Sequence, residues 1–529
     1  MHDTENYSGE CGRHVLPGSA STRTCRIGIF LISLVSLSAC YNPERDLIQD
    51  PFNTSLIHIL ESSFEPPTGT VAVRWEYLGT DRLLRVIILR RSGPGFDSIG
   101  VVEGGTSVGA DRFVDTYRDA EPLAGELLEY TVSARTDRGM VDARAVQVQI
   151  PGARLLRLRR NPFQGRIQVD WQPVGENLTS FEVVRSEGVI ETSLVVTGSD
   201  VDSFVDRSIS GNTPYTYRVL TRVSGGGSLR SGTLTAEVYS LERTEPVGKG
   251  ASRLVIASGS LASSVTMLAL SASPGEVDIS KYRYFFGASF DGSQSVGAIR
   301  EETVSASLDD VALESLTLSG PSVFRPASAS ERLFVVGRKA SGTRAFAKAF
   351  SLPNLTEVWE GPQDWVLSDA NTPVVAAQAG DGNFYLSADR SLRVYTSSLF
   401  ELATYDLPFT QPSDLEADSE NLWAVIPSEN RIVRADIASG LGPTLSWDDV
   451  DLQVPGLSPT ALTLNRFGQL FVLDATARRV HVFDTDLSLL LSWSLPDEDF
   501  SAGGVALDGG SGNLIHVSST NGNVFTYLP

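Results

Sequence analysis

An all-β fold is predicted for this 529-residue chain by three observations. The first is that Gly and Pro punctuate the sequence at short intervals, and the second that short apolar runs alternate with polar residues in place of any long helical periodicity. The third is that the strands recur with two periods, about 90 residues in the first half and about 45 in the second. Two related β-sandwiches at 65–152 and 153–242, a linker at 243–250 and a ring of blades at 251–529 are the architecture these periods imply.

The segment before residue 65 is an address. Ile27 to Ala39 is an apolar run of 13 residues preceded by Arg23 and Arg26, shorter than the roughly 20 residues a helix needs to cross a bilayer. Charged, apolar and small residues follow in the order of a secretory signal. The run ends on Cys40, and the chain beyond it contains no cysteine. Leu37-Ser38-Ala39-Cys40 resembles the lipobox of bacterial lipoproteins. The resemblance implies a signal peptide over 1–39, acylation of Cys40 and a lipidated tether at 40–64. Because Tyr41 follows the cysteine where some sorting systems read an aspartate, it also implies an outer-membrane destination in the cell envelope. Met1 to Thr22 is polar and long for the charged part of a signal, so translation is expected to start later, near Val15 or Leu16.

The sandwiches follow. "TVAVRWEYL" places Val71, Val73 and Trp75 on one face, and "RIQVDWQPV" does the same with Ile167, Val169 and Trp171. A second strand comes next in each, then Phe113-Val114-Asp115 and Phe204-Val205-Asp206, then strands containing Tyr130 and Tyr217. Trp75 and Trp171 are expected in the cores and Tyr130 and Tyr217 at a core corner. This order of features resembles fibronectin type III domains, which most often serve as spacers or protein-contact surfaces.

Beyond the linker, Leu333, Phe384, Leu422, Leu470 and Leu514 stand at equivalent points, 51, 38, 48 and 44 residues apart. Pro373, Pro412, Pro459 and Gly503 precede the last four by 10 or 11 residues. A lone four-stranded blade cannot bury its two apolar faces, whereas a ring can, so a β-propeller is predicted. The units resemble NHL-type, six-bladed propeller repeats. Six blades are expected, with seven as the alternative because seven candidate hairpins can be counted. Arg253 to Ser258 is expected to supply the strand that closes the ring.

Composition and motifs bound the chemistry. The net charge of −21 disfavours nucleic acid as a partner. Past Cys40 the histidines are His58, His481 and His516, and no pair has metal-ligand spacing. Gly105-Thr106-Ser107-Val108-Gly109 fits the nucleophile-elbow pattern, but it stands in a turn-rich gap with no helix after it and reads as a loop. Asp291-Gly292, Asp381-Gly382 and Asp508-Gly509 read as hairpin turns, and Asp418, Asp474 and Asp484 as turn and strand-end residues. No catalytic residue, metal or cofactor is assigned. The sequence therefore predicts a membrane-anchored binding or scaffold protein, its propeller contacting a protein or a cell-surface glycan. The alternative is a propeller hydrolase or lactonase whose carboxylate metal ligands are dispersed over several blades.

Overall fold

In the computed structural model the chain is all-β: antiparallel strands and, among the described residues, two 3-10 turns and no α-helix. The structure describes residues 56–104, 106–107, 112–246, 252–257, 264–273, 276–288, 294–306, 311–319, 332–339, 344–351, 356–361, 365–369, 372–438, 440–465, 467–500, 505–507, 515–521 and 523–528. The signal and Cys40 lie outside them. Among the described residues no helix is long and apolar enough to cross a membrane.

The first sandwich begins earlier than the sequence suggests. Leu56–Glu65, placed in the expected tether, is its first strand and pairs with Thr70–Leu78. A bulge between Ile59 and Glu61 breaks the period-two alternation there, which hides the strand from pattern reading. The second sandwich repeats the device, with a bulge between Leu155 and Arg157 in Gly152–Asn161. Both bulges stand beside the residue that pairs with the core tryptophan, Ile59 opposite Trp75 and Leu155 opposite Trp171.

In the first sandwich, Leu56–Glu65, Thr70–Leu78, Arg112–Asp119 and Thr106–Ser107 form one sheet. Asp97–Glu103, Leu83–Arg91, Leu127–Thr136 and Met140–Asp142 form the other, with Val146–Gln149 also on Leu127–Thr136. Trp75 and Val73 from the first sheet and Ile88 and Tyr130 from the second share one core. The second sandwich sets Gly152–Asn161, Arg166–Val174 and Ser203–Asp206 against Ile190–Gly198, Leu178–Glu187, Tyr215–Val223 and Ser228–Arg230, with Leu234–Ala236 also on Tyr215–Val223.

Register corrects one equivalence. Val71 pairs with Asp119 and Ile167 with Asp206, so Tyr117 and Asp119, rather than Phe113 and Asp115, correspond to Phe204 and Asp206. The two alignments differ by four residues, an even number, and a period-two pattern is blind to even slips. With the pairing set right, the tryptophans are 96 residues apart and the aspartates and tyrosines both 87. The extra length of the first module therefore falls between its second strand and Arg112–Asp119, where the Gly105 to Gly109 motif lies.

Each sandwich carries the same trio, a buried tyrosine and aspartate with a half-buried arginine. Tyr130 and Tyr217 donate to Asp119 and Asp206 at 2.8 Å, and Arg90 and Arg185 donate to the same oxygens at 2.8 Å. Burial, reinforced by the neighbouring carboxylate, pushes both tyrosine pKa values up. Burial works against the arginine charges, but pairing with the aspartates prevails and raises their pKa values.

The rest is a propeller. Among the described residues six four-stranded antiparallel sheets follow one another, and their first strands neighbour each other around a closed ring. Blade one is Ser252–Ala257, Ser264–Ser273, Glu276–Ala288 and Gln294–Ala306; blade two is Val311–Ser319, Arg332–Lys339, Ala345–Ser351 and Thr356–Gly361. Blade three is Val375–Gln378, Phe384–Ala388, Ser391–Tyr395 and Glu401–Asp406; blade four is Asp414–Ala417, Asn421–Ile426, Arg431–Asp436 and Trp447–Val450. Pro459–Leu464, Leu470–Asp474, Arg479–Phe483 and Leu489–Ser494 make blade five. Val505–Leu507, Ile515–Ser518, Asn523–Leu528 and Ser240–Pro246 make blade six. The count is six because the two N-terminal hairpins, read apart in the sequence, share blade one.

Two expectations fail at the ring's seam. The first half of the expected linker, 243–246, belongs to the strand Ser240–Pro246, which pairs with Asn523–Leu528 and completes the last blade. Arg253, expected in the closing strand, instead belongs to Ser252–Ala257, the innermost strand of blade one, paired with Ser264–Ser273. The polar closing strand is held by backbone pairing to a partner about 280 residues further along the chain, and no local pattern carries that information.

Nor is the seam a place of few contacts. Tyr239 stacks on Trp493 of blade five at 4.9 Å and 12°, Phe163 meets Phe467 at 4.5 Å, and Gln469 Nε2 donates to the Phe163 carbonyl at 2.8 Å. The core of the second sandwich, from Trp171 to Tyr239, runs on into Phe471, Trp493 and Tyr527 of the propeller. The first sandwich also touches the second, through the Ala124 N–H bond to the Arg230 carbonyl at 2.8 Å and the Gly227 N–H bond to the Pro66 carbonyl at 3.1 Å.

Candidate functional site: an interblade cleft

Blades three and four enclose a cleft of about 470 Å³ lined by both. Its near rim is the tight turn after Val375–Gln378. Gly382 takes φ 90°, a left-handed conformation that suits glycine, and the Asp381 carboxylate accepts from the Asn383 N–H at 2.8 Å and from Asn383 Nδ2 at 2.6 Å. Behind the rim stands Tyr385, 1% exposed; burial, followed by the nearby Asp381 charge, pushes its hydroxyl pKa up. Ala403 and Tyr405 come from the outermost strand of blade three. The Tyr405 hydroxyl donates to the Gly442 carbonyl at 2.9 Å, tying that strand to the loop of blade four that supplies Ile437, Leu441 and Pro443.

The blades beside the cleft are fastened by a recurring bond that the sequence reading did not identify. Ser368 N donates to Asp389 at 2.9 Å, Thr410 N to Glu429 at 3.0 Å, and Ser458 N to Asp474 at 3.1 Å. Each time, an acid at the turn after a blade's second strand holds the segment leading into a blade's first strand. The Thr410 N–H, then its hydroxyl, and Arg431 hold the Glu429 carboxyl below its usual pKa.

The histidines stand in three different sheets. His58 Nε2 meets Glu76 at 2.6 Å in the first sandwich, His481 Nδ1 meets Ser492 Oγ at 2.8 Å in blade five, and His516 Nδ1 meets Thr526 Oγ1 at 2.9 Å in blade six. Hydrogen bonding to His58, then Arg112, lowers the Glu76 pKa, whereas burial lowers those of His481 and His516, the latter to about 3. Asp418 caps the N–H groups of Glu420 and Asn421, Asp474 accepts from Ala477 N, and Asp484 accepts from Asp486 N and Ser488 N. These three are turn residues, as the repeat pattern predicts. Among the described residues no three of His, Cys, Asp and Glu form a group that could hold a metal. Asp291-Gly292, Asp508-Gly509 and most of Gly105 to Gly109 lie outside the described residues, although Thr106–Ser107 pairs as a strand with Phe113 and Val114.

Of the cleft, only the Asp381-Gly382 turn was singled out in the sequence. Tyr385, Tyr405 and Ile437 come from different strands of two blades, and only the closed ring brings them together.

No protein-family model matches the chain, and no curated protein matches it. Solved structures similar to it include a streptogramin B lyase, 12% identical over 67% of this chain and 100% of that one, TM-score 0.33. Another is the calcium-binding protein regucalcin of Agrobacterium tumefaciens strain C58, 11% identical over 55% and 93%, TM-score 0.34. A third is the FN1-FN3 domains of chicken CNTN1, 13% identical over 58% and 94%, TM-score 0.17. The assignment of a propeller rests on this chain's own strand pairing and ring closure.

Proposed function

We propose that this protein is a lipid-anchored binding protein of the bacterial cell envelope, with the propeller as contact surface and the two sandwiches as a stalk. The observation that carries the reading is Leu37-Ser38-Ala39-Cys40 at the end of a short apolar run, followed by a chain without another cysteine. Two or three acyl chains on Cys40 would exceed the two signals that stable anchoring needs. The stalk is read as two fibronectin type III-like domains. The pairing of a three-strand with a five-strand sheet in the second sandwich and the Arg-Asp-Tyr trio in both support that reading. A stalk packed against its head, as Tyr239 is on Trp493, would hold the contact surface at a set orientation to the membrane. The outer membrane is the proposed destination, from Tyr41.

The test is substitution of the anchor. Cys40→Ser should leave the precursor unprocessed or move the protein out of the membrane fraction, read by detergent phase partitioning. Partitioning of the variant into detergent like the wild type rejects the lipoprotein reading.

A further inference from the structure

We propose that the cleft between blades three and four docks an extended peptide segment of a partner protein, one that alternates apolar and basic side chains. The proposal rests on the binding-protein reading above and names the class of ligand.

Five observations support it. The cleft, about 470 Å³, falls in the size range of roughly 300–1,000 Å³ typical of ligand sites. Part of its lining is apolar, from Ala403, Ile437, Leu441 and Pro443, beside the polar Asp381 and Asn383. Tyr385 and Tyr405 are 1% and 7% exposed, so neither offers the flat, open ring on which a sugar would stack. With no open ring to stack on, the apolar part of the lining suits an inserted apolar side chain better than a glycan.

The strand beside the cleft is an open edge. Among the described residues Glu401–Asp406 pairs only with Ser391–Tyr395, and its other backbone edge is unpaired in the sheet. Leu402 on this strand is 54% exposed and Phe400, just before it, 73%. Exposed apolar residues beside an unpaired strand favour addition of another strand. Main-chain bonds would then supply affinity and the cleft would select alternate side chains.

Charge decides between occupants. Asp381 at the rim, and Asp406 and Asp436 beside lining residues, are all exposed on a chain of net charge −21. A second copy of this chain would be repelled at long range and a basic segment attracted.

The experiment uses the full chain and a fluorescently labelled octapeptide of alternating leucine and arginine, read by anisotropy. Saturable binding is expected. It should weaken as salt shortens the screening length from about 10 Å at 0.1 M to about 3 Å at 1 M. Leu402→Glu and Phe400→Ser, both at the surface, should weaken it by about tenfold or more with the melting temperature unchanged. Asp381→Asn keeps an oxygen for the turn and removes the charge, so it should weaken binding less and flatten the salt dependence. Wild-type affinity in Leu402→Glu, equal binding of a leucine-glutamate peptide, or displacement by a neutral oligosaccharide overturns the proposal. Membrane fractionation of Cys40→Ser reads the anchoring separately, so the two failures are distinguishable.

Discussion

His516 is fully buried in blade six, with its Nδ1 against Thr526 Oγ1. Burial disfavours the imidazolium and takes the pKa to about 3, against the ordinary 6.5 that applies once the chain unfolds. Between those values the unfolded chain binds a proton that the folded one does not. Stability contributed by this group is therefore complete above about pH 6.5 and is lost as the pH falls toward 3, at up to about 1.4 kcal/mol per unit. The propeller's melting temperature should drop between pH 7 and pH 4, and the drop should be smaller in His516→Leu. Identical pH profiles for the two proteins would count against a buried neutral imidazole. The sequence placed His516 inside a strand pattern, and its neutrality follows from depth, which only the packed ring supplies. Trp75, Trp171, Tyr130 and Tyr217 were legible as core because strand alternation fixes which face they occupy. The Arg90 and Arg185 partners were not, since each arginine meets an aspartate on a different strand.

At the scale of elements, the strand Ser240–Pro246 is the least legible and among the most consequential. It has no alternation and reads as a polar linker, yet it pairs along Asn523–Leu528 with Thr244 opposite Phe525. A proline at position 244 would remove a donor and distort this strand. Thr244→Pro should open the last blade and make the propeller sensitive to limited proteolysis, while a fragment of residues 56–239 stays resistant. A propeller as resistant as the wild type would mean that the seam does not hold the ring. The opposite lesson comes from blades three to five, whose turn, strand and loop order was visible at the 45-residue period. Their hairpins are local, and local pairing leaves a local pattern.

For the whole molecule, the sequence predicted separable parts joined by a linker, and the structure joins the second sandwich and the propeller through one apolar core. Contacts between Phe163 and Phe467 or Tyr239 and Trp493 link residues about 250 to 300 positions apart, which no repeat or composition shift reveals. Trp493 is 1% exposed, and its replacement by alanine should cost about 3–5 kcal/mol. Calorimetry should find the second sandwich and the propeller melting together in the wild type and as two transitions in Trp493→Ala. A single unshifted transition in the variant would disprove the coupling. The seam also sets a clock. During synthesis the sandwiches hold all the strands of their own sheets soon after they emerge, but Ser240–Pro246 must wait for Asn523–Leu528, about 280 residues later. At roughly 5–20 residues per second that wait is about 15 to 60 s. Throughout it the base of the nascent head carries an unpaired strand beside a half-made aromatic core, so the interval in which this protein can be captured by a chaperone, or mispair with a neighbour, is set by the length of its own ring.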